Sequence, residues 1–188
     1  MSRITVEVES TVGSSIGKRD RAGREGHSSS GVSGVSGVSA ASTAPEGADA
    51  RDVGDAGEGL GGWPVGQGCV EDTLDADGRS VRSLVLMREP ARSGDEVAAW
   101  PVALLHLNDG RRDVDEVVCV AEAEPFVDLV DTTDLERWHA EPAAWATALG
   151  RLSPDTRYRV TGCGSRREAD QLVSDAHHAY LRLTGCLE

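Results

Sequence analysis

Arg157-Tyr-Arg-Val-Thr-Gly-Cys-Gly-Ser-Arg-Arg-Glu168 is the stretch whose reading decides the fold. Arg157 to Thr161 alternates charged or polar residues with Tyr158 and Val160, the period-two pattern of a strand with one buried face. Gly162 and Gly164, either side of Cys163, then predict a tight reversal, since glycine tolerates backbone angles that other residues resist. Ser165 followed three residues later by Glu168 has the form of a capping box, in which hydroxyl and carboxylate satisfy orphan helix N–H groups reciprocally. Beyond it Ala169, Leu172, Val173, Ala176, Tyr180 and Leu183 recur at three and four residues, one apolar stripe at helical period. Gly185 supplies the stop. A strand, a glycine turn and a helix of about 28 Å follow, at about 1.5 Å per residue.

Upstream, the chain divides by composition. Ile4, Val6 and Val8 alternate with Arg3, Thr5, Glu7 and Glu9 to make a short amphipathic strand over residues 1–10. A lone strand is unstable in water, so it must join the edge of a later sheet, pair with another chain, or stay unfolded. Residues 11–62 lose most apolar side chains and repeat Gly-Val-Ser three times from Gly31 to Ser39. Such a segment cannot bury enough surface to offset its ordering entropy, and it reads as a disordered linker. Residues 63–188 form the folded domain.

Within that domain, Cys69–Leu74 and Arg79–Met87 flank Asp75-Ala-Asp-Gly78 as a hairpin. The Asp-x-Asp-Gly sequence also matches part of a calcium loop, but Leu84 stands where the terminal carboxylate belongs, so the turn is preferred. Val102–Leu107 and Val117–Ala121 make a second hairpin around Asn108-Asp-Gly110, with Pro101 expected at a strand start or edge. Phe126–Val130 reads as a further short strand. Thr133 with Glu136 opens a helix whose stripe of Leu135, Trp138, Trp145, Leu149 and Leu152 is interrupted at Pro142. Proline inside a helix costs about 3 kcal/mol or more, so a break is expected there with both pieces on one sheet face. The fold class that results is α+β: a mainly antiparallel sheet of about four to six strands, two helical regions on one face, and a disordered leader.

The 188 residues carry a net charge of -13, which argues against a nucleic-acid backbone or an anionic membrane as partner. Lys18 is the single lysine among 19 basic residues, a bias that fits a GC-rich or halophilic source. Cys69, Cys119, Cys163 and Cys186 form no C-x-x-C pair, and no apolar run reaches about 18 residues. A cytoplasmic chain with reduced thiols is therefore expected, with no cofactor and no metal.

Among chemical candidates Cys163 leads, because a thiol before a helix N-terminus meets N–H groups and a dipole that favour thiolate, with Arg166 and Arg167 beside it. Against it, the residue six positions on is Ala169, not the arginine of a phosphatase-type loop, and no cysteine stands three positions either side. The histidines diverge: His177 borders the helix stripe and His178 faces solvent. No G-x-S-x-G elbow is present. Tyr158 to Gly185, with its YRV…S-R-R-E-A pattern, resembles the strand–helix unit of SPOR-type peptidoglycan-binding domains, and that resemblance implies a cell-wall-binding module.

A non-enzymatic cytoplasmic interaction or accessory module ranks first, acting through a protein partner or self-association. Its expected surface is the strand residues Ile4, Val6 and Val8 together with His177 and Leu181 of the last helix, since unpaired strand edges recruit other chains. A thiol-dependent enzyme or redox sensor centred on Cys163 ranks second, and the SPOR-like module third. Limited proteolysis of the full chain is expected to leave a stable fragment beginning near Trp63, with the first strand retained noncovalently. Strong amide protection across Gly31 to Ala50 would contradict the disordered linker.

Overall fold

The computed structural model describes residues 3–17, 62–123, 126–138 and 140–185. Most of the expected linker, together with Lys18, His139 and Cys186, lies outside the described residues. The chain is α+β, built on a six-stranded sheet: β1 (Ile4–Val12), β2 (Val65–Val70), β3 (Arg82–Leu86), β4 (Glu96–Asn108), β5 (Asp113–Ala121) and β6 (Arg159–Gly164). Among the described residues three α-helices accompany it: α1 (Thr132–Arg137), α2 (Pro142–Leu152) and α3 (Arg166–Leu183).

The N-terminal strand does more than extend an edge. β1 pairs antiparallel with β2, Val6 opposite Val70, and on its other side with β4, Val6 opposite Val97. The order β1-β2-β3-β5-β4 therefore returns to β1, and five strands close on themselves. β6 adds outside the ring, along β4. β3 and β5 form the one parallel pair, the rest being antiparallel.

Closure sorts side chains by parity, because successive residues of a strand point to opposite faces. Val6, Val70, Val85, Ala99 and Val117, one from each closing strand, fall in a single buried cluster that α3 joins through Ala169, Val173 and Ala176. The opposite face carries Val65, Leu84, Leu86, Leu105, Leu107, Val118 and Val120, packed with Leu135 of α1 and Trp145 and Leu149 of α2. The two pieces of the interrupted stripe thus do cover the same sheet face. Ile16, beyond β1, is buried in that second cluster. Fully burying such a side chain is worth about 1.5–3 kcal/mol.

Several local expectations shift. The helix after the acidic stretch is capped by Asp131 and Asp134, not by Thr133 and Glu136: the Asp131 carboxylate accepts from Thr132 N, and Asp134 accepts from the Asp131 backbone. Aspartate is as good an N-cap as threonine, and here it comes two residues earlier. The helix does break, and Pro142 becomes the first residue of α2, where its missing N–H is no loss. Phe126–Asp128 is a 3-10 turn, not a strand. It puts Phe126 between Trp63 and Trp138, with ring centroids 5.4 and 5.7 Å away. Pro101 sits within β4, at a register shift between Pro101 and Ala103, where a bulge excuses its missing donor. Gly162 and Gly164 belong to β6 itself, and neither has positive φ. Their smallness matters for a different reason: a Cβ on Gly162 would stand 3.3 Å from the His106 ring, and one on Gly164 3.2 Å from its Nε2.

Two glycine substitutions should move stability in opposite directions. A Cβ on Gly68 would lie 2.0 Å from the Glu7 carbonyl oxygen, so Gly68→Ala must push β1 and β2 apart. A loss of about 1–3 kcal/mol or more is expected. Gly150, exposed in α2, meets nothing within 4 Å, and Gly150→Ala should gain about 0.5–1 kcal/mol. Urea denaturation of the two variants beside the wild type checks both signs.

Candidate functional site

Polar side chains gather where the leucine-rich face of β2, β3 and β5 runs out. On each strand a polar residue continues the parity of the apolar ones: Gln67 after Val65, Arg82 before Leu84, Glu116 before Val118. Cys69 stands opposite both Arg82 and Glu7 in the ladder. Folding the hairpins therefore brings an amide, a guanidinium and a carboxyl together without any loop excursion.

The contacts within this group are specific. Gln67 Nε2 donates to Glu116 Oε1 at 3.0 Å, and Ser153, just past α2, donates its hydroxyl to Gln67 Oε1 at 3.0 Å. Arg82 Nη1 donates to Glu9 Oε2 at 2.9 Å, while its Nε lies 4.0 Å from Glu116 Oε1. The Cys69 thiol reaches Glu9 Oε1 at 3.4 Å. Gln67 and Glu116 are buried, with 2% and 1% exposure, and Glu116 Oε2 has no hydrogen-bond partner. Arg82 and Glu9 are partly open to solvent.

Electrostatics follow from burial. Desolvation pushes the Glu116 carboxyl above the usual carboxylate range, more than Arg82 and Gln67 pull it down. Burial likewise raises the Tyr158 phenol and the Cys69 thiol, with Glu116 adding to the first and Glu9 to the second. Sequence reasoning missed Gln67, Arg82 and Glu116. The signal was there: each is a polar residue at a core-facing position of a strand, a placement that costs free energy unless the group is paired.

The residues singled out from the sequence do not converge. Cys163 is exposed on β6 opposite Leu105, and its thiol is pushed up by desolvation and by the Asp131 and Glu168 carboxylates. The capping box explains the failure of the thiolate argument, because Ser165 and Glu168 already use the helix N–H groups and add negative charge. Arg166 turns instead toward the Val130 carbonyl and Asp170, and Arg167 is exposed. Ile4, Val6 and Val8 are buried, and both edges of their strand are paired, so they are core and not a docking surface. His177 Nδ1 lies 2.8 Å from the Asp72 carbonyl oxygen, which ties α3 to the β2–β3 connection. Leu181 is half-buried. His106 pairs with Asp115 at 2.7 Å.

With a closed five-strand ring and a polar cluster on its outer face in view, likeness to known proteins becomes informative. The sequence model of the inorganic pyrophosphatase family matches residues 61–181, from β2 through almost all of α3. The chain belongs to the inorganic pyrophosphatase family. It is 30% identical over 122 residues to the inorganic pyrophosphatase of Aeropyrum pernix, covering 63% of this chain and 69% of that one. It is 33% identical over 72 residues to that of Methanosarcina acetivorans, a match spanning 38% of this chain and 43% of the relative. The fold is that of the Thermus thermophilus inorganic pyrophosphatase, at TM-score 0.57 and 18% identity over 95% of this chain and 91% of that one.

This membership corrects the functional ranking. A non-enzymatic interaction module is overturned by the match to an enzyme family, and so are the Cys163-centred thiol enzyme and the SPOR-like module. The resemblance behind the last rests on a strand–cap–helix unit, which recurs in unrelated folds, whereas the family match extends over the whole ring from β2 onward.

Hydrolysis of phosphate anhydrides commonly draws on divalent cations held by carboxylates. The donor set here does not fit one: among the described residues no three His, Cys, Asp or Glu side chains gather as a cation would require.

Glu116 offers a direct check on the site. Its carboxyl binds a proton more tightly folded than unfolded, so its contribution to stability is present at low pH and lost as pH rises through the folded value. Glu116→Gln should flatten the stability–pH curve above the ordinary glutamate value of about 4.3. Urea unfolding at several pH values measures it.

Proposed function

We propose that the protein acts on inorganic pyrophosphate, hydrolysing its phosphoanhydride bond at the outer face of β2, β3 and β5. The observation that carries this reading is the family match across residues 61–181, which takes in every strand of that face. The buried cluster gives the face its chemistry: Gln67 and Ser153 are fixed hydrogen-bonding groups, Arg82 is a cation, and Glu116 is a carboxyl biased toward its protonated form. A cytoplasmic location suits a small soluble substrate, and no helix among the described residues is long and apolar enough to cross a membrane. Self-association belongs to the same proposal, and sedimentation velocity on the full chain reads it directly.

Phosphate release from pyrophosphate by the purified full chain tests the activity. Release that scales with protein concentration, in buffer with magnesium or with chelator, is the expected result. No release above buffer in either condition, with an active family member as control, would remove the reading.

A further inference from the structure

Arg82 is the cation of the polar cluster, and its present partner is replaceable. Its guanidinium spans two acids: Glu9 at 2.9 Å, on the half-exposed side, and buried Glu116 at 4.0 Å. Glu9 is 50% exposed and Arg82 34%, so their ion pair is open to a competing anion from solvent. Exposed pairs of this kind contribute only about 0–1 kcal/mol. A guanidinium presents a planar fork of donors that matches phosphate oxygens two at a time.

Carboxylates cannot gather a cation at the same place. Glu9 already has one oxygen toward Cys69 and the other on Arg82. Glu116 has one oxygen on the Gln67 amide, and at 1% exposure it leaves no room for a hydrated ion. Magnesium in particular gives up its waters reluctantly. The acids of the two hairpin turns are also engaged: Asp75 accepts the N–H groups of Asp77 and Arg79, and Asp109 those of Arg111 and Arg112.

We propose that Arg82, released from Glu9, is the anion-binding residue of this face, and that pyrophosphate binds there without a divalent cation. The choice of pyrophosphate rests on the function proposed above. The geometry makes Glu9 a competitor: it holds the guanidinium in the absence of anion and must give it up when anion binds. Removing the competitor should therefore strengthen binding, while removing the guanidinium should weaken it.

Isothermal titration of pyrophosphate into the full-length protein, in chelator and then in excess magnesium, decides the matter. In chelator the wild type is expected to bind, Arg82→Gln to bind about tenfold or more weakly, and Glu9→Gln about threefold or more tightly. Circular dichroism confirms that each variant is folded. Because Glu9→Gln is expected to gain affinity, misfolding cannot imitate the predicted pattern. Binding seen only with magnesium overturns the inference while leaving hydrolysis intact. Equal affinity in Arg82→Gln and wild type, or weaker binding in Glu9→Gln, also overturns it. Arg82-dependent binding in chelator without any phosphate release supports the inference and removes the proposed hydrolysis. No binding in either condition removes both.

Discussion

Everything in this fold depends on β1 being paired along both edges. Its hydrogen bonds to β2 on one side and β4 on the other turn an open sheet into a ring. Only in a closed ring do the inward residues of five strands meet as one cluster, since an open sheet of this size would leave one face to be covered by helices alone. Closure also pairs the edges of the five ring strands, which would otherwise be free to recruit other chains. The same pairing makes Ile4, Val6 and Val8 core residues, and it holds Glu9 beside Arg82. Remove β1 and both the interior and the polar cluster lose a wall.

The polar cluster is a local departure from the apolar pattern of its own strands. Gln67 and Glu116 sit where valine or leucine would pack, and their burial is tolerable because each has a partner: amide to carboxyl, hydroxyl to amide, guanidinium close by. The arrangement is incomplete, with one Glu116 oxygen unpartnered. Aliphatic side chains at the same positions would carry no such desolvation cost.

Much of the architecture was legible in the sequence, for reasons that differ element by element. α3 was plain because an apolar stripe, a Ser165–Glu168 capping box and Gly185 agree with one another. The hairpins were plain because turn residues punctuate apolar runs. Ring closure was not legible, since pairing between β1 and β4 is a long-range fact that neither strand's own residues announce. Gly162 and Gly164 were misread for a related reason: a glycine required by a neighbouring imidazole looks the same in sequence as one required by a turn. The site escaped notice because its members, Gln67, Arg82 and Glu116, are scattered over 50 positions and carry no fixed spacing. Cys163 stands out in the sequence because its position between strand and helix is a local pattern, the kind that sequence displays best.

Ring closure by the first strand also sets an order of events during synthesis. β1 leaves the ribosome before either of its partners, and β4 is complete only at Asn108, nearly a hundred residues later. At about 5–20 residues per second the strand waits roughly 5–20 s for its second neighbour. Through that interval Ile4, Val6 and Val8 are an exposed β-prone segment of the kind that pairs indiscriminately. Arg3, Glu7 and Glu9 interrupt it with charge of both signs, and such flanking charges discourage association between nascent chains. Glu9, read in the finished molecule as the partner of Arg82, therefore has an earlier task as a gatekeeper while the ring is still open.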